Sequence, residues 1–97
     1  MDKKLETLRK EIDVLDKEIV ERLAKRIAIA KKIGELKKTQ GVDAFVKDRW
    51  QKVLESKIAL GKELDVSKEF IETIYTVIHD HSVKVQKDLG ATAKRKG

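Results

Sequence analysis

The longest regular pattern in the chain is a stripe of apolar residues between positions 5 and 37. Its members recur at spacings of three and four: Leu5, Leu8, Ile12, Leu15, Ile19, Leu23, Ala30 and Ile33. This spacing predicts one amphipathic helix, because residues three or four apart lie on the same side of an α-helix. We expect the helix to run from about Lys3 to Lys38, with Gly41 just beyond its end.

Two basic residues interrupt this stripe. At about 100° per residue, Arg26 and Lys37 project at nearly the same angle as Ile19, in the middle of the stripe, and Arg9 lies about 100° from Arg26. A charge on a face that must be buried is costly unless it is paired. The pattern therefore indicates that Arg26 and Lys37 meet an anion. The alternatives are that they extend to water from the helix edge or pair with a glutamate of a neighbouring helix.

The predicted first helix is too long to be covered by the rest of a 97-residue chain. About 35 residues form a rod roughly 50 Å long, whereas a compact domain of this size has a radius of gyration of about 13 Å. We therefore expect an intertwined homodimer, in which a second copy covers the far end of the rod.

Two shorter helices are predicted after the first. Asp43 is the expected cap of a helix from about Ala44 to Lys62, and Ser67 is the expected cap of a helix from about Lys68 to Leu89. The apolar face of the last helix comprises Phe70, Ile74, Val77, Ile78, His81 and Val85. The chain is thus predicted to be an all-α domain over residues 1–89, with 90–97 as a disordered basic tail.

Composition narrows the class of protein. Charged residues make up 41% of the chain and aromatic residues 4%, which favours helices packed through aliphatic seams over a sheet. The absence of cysteine excludes disulfides and cysteine-based metal sites. The sequence has no apolar run approaching the roughly 20 residues of a membrane span, and its charged N-terminus does not resemble a signal peptide. We therefore expect a cytoplasmic protein that does not insert into membranes.

The chemistry that the sequence offers is cationic. A net charge of +6 suggests an anionic partner, but acids and bases alternate along the exposed faces, which argues against nucleic acid. The chain has neither a glycine-rich phosphate loop nor an obvious nucleophile–base pair. His79 and His81 are two residues apart on a helix and point in different directions, so they are poor joint metal ligands. No metal and no cofactor is expected.

Several short motifs, in the same order, resemble the all-helical class of chorismate mutase, the type II chorismate mutase domain. They are L-R-K-E-I-D-x-L-D, L-x-x-R, I-G-x-x-K, D-R-W and H-D-H-S-V-x-x-Q, within residues 5–89. The resemblance implies an intertwined three-helix homodimer with two active sites, each built from both chains. It also implies an isomerase that converts chorismate, a small dicarboxylate, to prephenate by a Claisen rearrangement.

The resemblance further implies roles for individual residues. Lys37, Gln86 and Arg26 match the family's catalytic positions: Lys37 would contact the ether oxygen and a carboxylate, and Gln86 would donate to the ether oxygen. Arg26 would bind a carboxylate within its own subunit, whereas Arg9 would reach a carboxylate in the partner's site. The angle of about 100° between Arg9 and Arg26 around the helix agrees with the two arginines contributing to different active sites.

Around the second helix the match is less complete. Arg49 matches an arginine near the ring end of the substrate, and Ser82 matches a serine that bonds the ring hydroxyl or a carboxylate. Well-known members carry D-x-x-R-E, where this chain has Val46 and Trp50 in place of the two acids. We expect the backbone of Val46 to serve the substrate and Trp50 to wall the pocket, with weaker binding or lower efficiency than in members with both acids.

Two other functions stay open from the sequence. Isochorismate-pyruvate lyase uses a similar cationic pocket on a related substrate. A non-catalytic helical dimerisation module would instead pair Arg26 and Lys37 with glutamates and leave no cavity between the helices. Some members with the arginine–tryptophan pattern are fused to another enzyme of the pathway, so a fused or associated pathway enzyme is a further prediction.

Overall fold

A long first helix gives the molecule its elongated shape. In the computed structural model, which describes residues 2–92, helix α1 spans Lys3–Gln40, α2 spans Lys47–Glu63 and α3 spans Lys68–Asp88. The molecule measures 60 × 25 × 18 Å. Helix α3 packs against both α1 and α2, so it is the central element of the fold. The prediction of an all-α chain with one long and two shorter helices is confirmed.

Local sequence signals determine several helix ends. Asp2 caps the start of α1 with its carboxylate, and Gly41 ends the helix in the left-handed conformation, with φ of 70°. Glycine adopts this conformation without the steric cost that a Cβ atom adds. The hydroxyl of Ser67 accepts a hydrogen bond from the N–H of Phe70 at 3.2 Å and caps α3. The predictions for Gly41 and Ser67 are therefore confirmed.

Helix α2 begins later than the sequence predicts. It starts at Lys47 after Val46, and Asp43 does not cap it. The preceding residues form a loop, in which the N–H of Ala44 donates to the carbonyl of Thr92 at 2.9 Å. Asp43 and Thr92 form an isolated parallel bridge. This pairing of distant segments occupies the backbone that the predicted first turn of α2 would have used.

The residues after α3 pack against the same loop. The N–H of Ala91 donates to the carbonyl of Gln86 at 3.0 Å, and Ala91 is only 5% exposed. Gly90, with φ of 107°, lies against the side chain of Lys38. Residues 90–92 are therefore packed, in contrast to the prediction of a disordered tail that begins at residue 90. The rest of that predicted tail, 93–97, lies outside the described residues.

Most of the apolar stripe on α1 is uncovered in a single chain. Leu8, Ile12, Leu15 and Ile19 are each more than half exposed. Further large apolar side chains are exposed on the same molecule: Leu5, Val20, Ile29, Leu36, Leu60, Phe70 and Val77. Among residues 2–92, no large hydrophobic side chain is fully buried. An apolar surface of this extent is typical of a protein contact.

None of the helices described is both long enough and apolar enough to cross a lipid bilayer.

Candidate active site

A cavity of about 390 Å³ lies between the three helices, and the loop before α2 closes one side of it. Six of the seven predicted site residues line this cavity: Arg26, Lys37, Val46, Arg49, Ser82 and Gln86. Apolar side chains of α1 and α2, among them Ile33 and Val53, supply the rest of the wall. Arg9 is the exception. It is exposed on α1, about 25 Å along the helix axis from Arg26 at 1.5 Å per residue.

Arg26 is held by a hydroxyl of α3. Its Nη1 donates a hydrogen bond to Ser82 Oγ at 2.6 Å, and Ser82 is only 7% exposed. A guanidinium carries five N–H donors in a planar fork. One contact to Ser82 therefore orients the fork and leaves the other donors for an anion in the cavity.

Lys37 is held by two acceptors. Its ammonium donates to Gln86 Oε1 and to the carbonyl oxygen of Ala44, each at 2.8 Å. An ammonium has three donors and no acceptor, so one N–H remains for a ligand. Burial lowers the pKa of Lys37, and the negative charge of Asp43 partly opposes this shift. The site thus holds a partly desolvated cation, on which a ligand's charge acts strongly.

Neither Arg26 nor Lys37 forms a salt bridge among residues 2–92. The salt bridge observed in this range joins Lys84 and Asp88 on the surface. Arg26 and Lys37 are bonded to neutral oxygens instead. The non-catalytic alternative predicted that glutamates pair with these cations and that no cavity separates the helices. Among residues 2–92, neither cation has a glutamate partner, and a cavity is present. The cavity therefore presents positive charge that an anionic ligand can neutralise.

A glycine lets α1 and α3 approach closely at this point. A Cβ atom on Gly34 would lie 2.9 Å from the backbone Cα of Gln86, a distance that a backbone atom cannot relieve by changing rotamer. Gly34 is also one turn before Lys37 on α1. The absence of a side chain at position 34 therefore brings Gln86 within hydrogen-bond distance of Lys37.

Replacing Gly34 with alanine is expected to separate α1 from α3 and to lower kcat of the rearrangement that the family resemblance implies. The added methyl group costs about 1–3 kcal/mol through overpacking, which the better helix propensity of alanine offsets by about 1 kcal/mol. Thermal unfolding measures the effect on stability, and steady-state kinetics measure the effect on kcat.

Gly61→Ala is a matched control, because its Cβ would press on the Ile71 side chain at 2.9 Å, outside the cavity. We expect Gly61→Ala to lower stability while kcat stays unchanged. Equal effects on kcat would contradict the role of Gly34.

His79 also belongs to the cavity, although the sequence raised it only as a metal ligand, and a poor one. His79 lines the cavity together with Ser82 and Gln86. The three residues lie on one face of α3, since they are three and four positions apart. That spacing was the available signal. Among residues 2–92, no group of three histidine, cysteine or acidic side chains is placed to hold a metal ion.

Comparison with known proteins identifies the family. The model described as chorismate mutase type II matches residues 8–87. The chain belongs to this family. The match extends over all of α2, most of α1 and α3, and all seven predicted site residues. The resemblance inferred from the motifs is therefore confirmed at the level of the family.

Curated relatives of this family differ greatly in length. The chain is 30% identical over 86 residues to a T-protein from Enterobacter agglomerans, which is 89% of this chain and 23% of the relative. It is 40% identical over 60 residues to a bifunctional chorismate mutase/prephenate dehydratase from Aquifex aeolicus, which is 62% of this chain and 17% of the relative. A chorismate mutase from Methanocaldococcus jannaschii is 29% identical over 87 residues, 90% of this chain and 88% of the relative. The chain therefore spans less than a quarter of the first two relatives and most of the third.

Proposed function

We propose that this chain is an isomerase that converts chorismate to prephenate. The observation that carries the proposal is the convergence of Arg26, Lys37 and Gln86 on one cavity, where both cations donate hydrogen bonds to neutral oxygens and neither forms a salt bridge among residues 2–92. Membership of the chorismate mutase type II family supports it. So does the name of the Methanocaldococcus relative, which has nearly the length of this chain.

The proposed reaction is a Claisen rearrangement, in which the ether C–O bond breaks while a new C–C bond forms. No proton and no group leaves the substrate, so the reaction requires neither a nucleophile nor an acid–base pair. The protein has two tasks: it must hold the side chain of chorismate folded over the ring, and it must stabilise the negative charge that grows on the ether oxygen. A cavity lined by cations and amides suits both tasks.

In this proposal, Arg26 and Arg49 contribute to binding the two carboxylates of the substrate. Arg26 offers charge-assisted, bidentate hydrogen bonds with the N–H groups that Ser82 leaves unused. Arg49 lines the same cavity from α2 and adds positive charge at the ring end of the substrate. Because a dicarboxylate has to give up water for these contacts, two fixed guanidinium groups offset part of that desolvation cost.

Stabilisation of the ether oxygen falls to Lys37 and Gln86. The ammonium of Lys37 can only donate, so the amide oxygen of Gln86 must face it and the amide NH₂ points elsewhere. That NH₂ and the remaining N–H of Lys37 are the donors for the ether oxygen. Both bonds strengthen as the C–O bond breaks, which lowers the barrier more than it stabilises the bound substrate.

Val46 contributes through its backbone in this proposal. Its side chain lines the cavity without a polar group, and its carbonyl already accepts from the N–H of Trp50 at 3.0 Å. Because the Val46 carbonyl is engaged in this way, the backbone group that we assign to the substrate at this position is the N–H of Val46, a hydrogen-bond donor. A site without an acid here is expected to bind chorismate less tightly than family members with D-x-x-R-E.

Dimerisation is part of the same proposal. The exposed apolar stripe of α1 runs from Leu5 to Ile19, and Arg9 lies at the edge of this stripe. A second copy that covers this stripe would bury it and bring its own Arg9 to the first chain's cavity. Each helix α1 would then supply Arg26 and Lys37 to one site and Arg9 to the other.

Mixing two inactive variants tests the shared site. Arg9→Ala and Arg26→Ala should each be nearly inactive, because each removes a carboxylate contact. After denaturation and joint refolding, random pairing makes half of the dimers mixed, and each mixed dimer holds one intact site, so about a quarter of the wild-type activity should return. The steady-state rate of the mixture measures this. No recovery from well-folded mixed dimers would contradict the crossing of Arg9.

Product analysis separates the mutase from the lyase. The chain is incubated with chorismate and, separately, with isochorismate, and the products are identified by chromatography. Prephenate from chorismate is the expected result. Pyruvate released from isochorismate, without prephenate from chorismate, would establish the lyase alternative instead.

A fused or associated enzyme that consumes prephenate also remains a proposal. The bifunctional name of the Aquifex relative supports it. A location in the cytoplasm, where chorismate would be supplied, stays a prediction of the same kind.

A further inference from the structure

Three aromatic rings form a layer at one side of the cavity. His79 of α3 stacks on Trp50 of α2, with ring centroids 4.2 Å apart and an angle of 26° between the planes. The ring of Phe45 meets His79 edge-on at 5.7 Å. Because Trp50 and Phe45 restrict the imidazole on two sides, its orientation is set by packing. His79 also lines the cavity.

The ring nitrogens of His79 are available to a ligand. Among residues 2–92, no hydrogen-bond partner is found for either nitrogen. Burial lowers the pKa of His79; Asp80 on α3 opposes this, and Arg26 and Lys37 on α1 lower the pKa further. Arg49, which also lines the cavity, is a third cation. The lowered pKa favours the neutral imidazole, which has one N–H donor and one bare nitrogen as acceptor.

The cavity otherwise lacks a side-chain acceptor that is not already engaged. Arg26, Lys37 and Arg49 can only donate. The hydroxyl oxygen of Ser82 already accepts from Arg26, and the amide oxygen of Gln86 already accepts from Lys37. Chorismate carries a ring hydroxyl besides its carboxylates and ether oxygen. That O–H group needs an acceptor when the cavity removes it from water, since an unpaired buried hydroxyl is costly.

We propose that His79 accepts a hydrogen bond from the ring hydroxyl of the substrate, with Trp50 as the platform that holds the imidazole in place. This inference rests on the proposed function, and it identifies His79 as a residue that recognises the hydroxyl. The bare nitrogen of His79 then distinguishes substrates that carry a hydroxyl donor from those that do not. The residue has no part in breaking the ether bond, so its effect is on specificity.

A double comparison of variant and substrate tests the proposal. The substrates are chorismate and its ring 4-O-methyl ether, which has no hydroxyl proton. The proteins are the wild type and His79→Phe, which keeps an aromatic ring against Trp50 but has no acceptor. Both single changes should lower kcat/KM about tenfold, the loss expected for one hydrogen bond. The combined change should cost little more than either alone, because both remove the same bond.

Several outcomes would overturn the proposal. If the methyl ether lowers kcat/KM equally in the wild type and in His79→Phe, the loss is steric and His79 does not bind the hydroxyl. If the wild type uses both substrates equally well, the hydroxyl proton has no acceptor; this measurement needs no variant. His81→Phe is the matched control, since His81 is exposed on the same helix, and it should leave kcat/KM unchanged. A wild type that makes no prephenate would instead contradict the proposed function.

Discussion

Lys37→Ala is expected to lower kcat for prephenate formation about 10³-fold, the upper end of what removal of one preorganised donor costs at a developing oxyanion. The variant loses the ammonium that faces the ether oxygen. It also loses the hydrogen bond that holds the amide oxygen of Gln86. KM should change less than kcat, because the charge on the ether oxygen is larger in the transition state than in the bound substrate.

Lys37→Arg should not restore the rate, although it keeps the charge. The planar guanidinium is larger than the ammonium and cannot reach both Gln86 Oε1 and the Ala44 carbonyl at 2.8 Å within the same space. Lys31→Ala is the control, since Lys31 is exposed on the same helix. Near-normal turnover in Lys37→Ala would contradict the assignment of the ether-oxygen contact.

The pKa of Lys37 gives the wild type a further signature. Burial lowers this pKa below its usual value of 10.5, and the protonated form is the one that donates to the ether oxygen. The kcat/KM of the wild type should therefore be constant near neutral pH and fall as the pH rises through the lowered pKa. The Lys37→Arg variant should lack this alkaline decline, because guanidinium stays protonated.

Gln86→Glu is expected to lower activity at neutral pH by about 10²-fold or more and to recover part of it in acid. At neutral pH the new carboxylate cannot donate to the ether oxygen, and it places negative charge where negative charge develops. In its protonated form it regains an O–H donor. The neighbouring Lys37 favours the ionised form, so the recovery should require acidic conditions.

The pH–rate profile of kcat measures this recovery. The wild type should show no comparable rise in acid, because its amide does not titrate. Gln51→Glu is the matched control, since Gln51 is exposed on α2, and its profile should follow that of the wild type. A flat acid profile in Gln86→Glu would contradict donation from position 86 to the ether oxygen.

Features that depend on neighbouring residues were predictable from the sequence. The length of α1 follows from its periodic apolar positions, and its end at Gly41 follows from the left-handed conformation that glycine favours. Ser67 caps α3 through a contact three residues away. The placement of Arg26 and Lys37 on one face followed from helical geometry alone, and the structure places both in the same cavity.

Features that depend on distant residues were not predictable in this way. Asp43 has the chemistry of a helix cap, but the loop around it pairs with Thr92, and no local pattern indicates that pairing. The packing of residues 90–92 has the same origin. The stacking of His79 on Trp50 was not predicted, because the two residues belong to different helices. In all three cases the deciding contact joins residues that are far apart in the sequence.

The proposed isomerase activity is tested by the rate of prephenate formation from chorismate, measured for the wild type, Arg26→Ala and Arg22→Ala. Arg22 is exposed one turn before Arg26 on α1 and does not line the cavity. We expect the wild type and Arg22→Ala to form prephenate at similar rates, whereas Arg26→Ala should lose at least 10²-fold in kcat/KM with the removal of a charge-assisted carboxylate contact. Equal rates for Arg26→Ala and the wild type, or no prephenate from the wild type, would contradict the proposal.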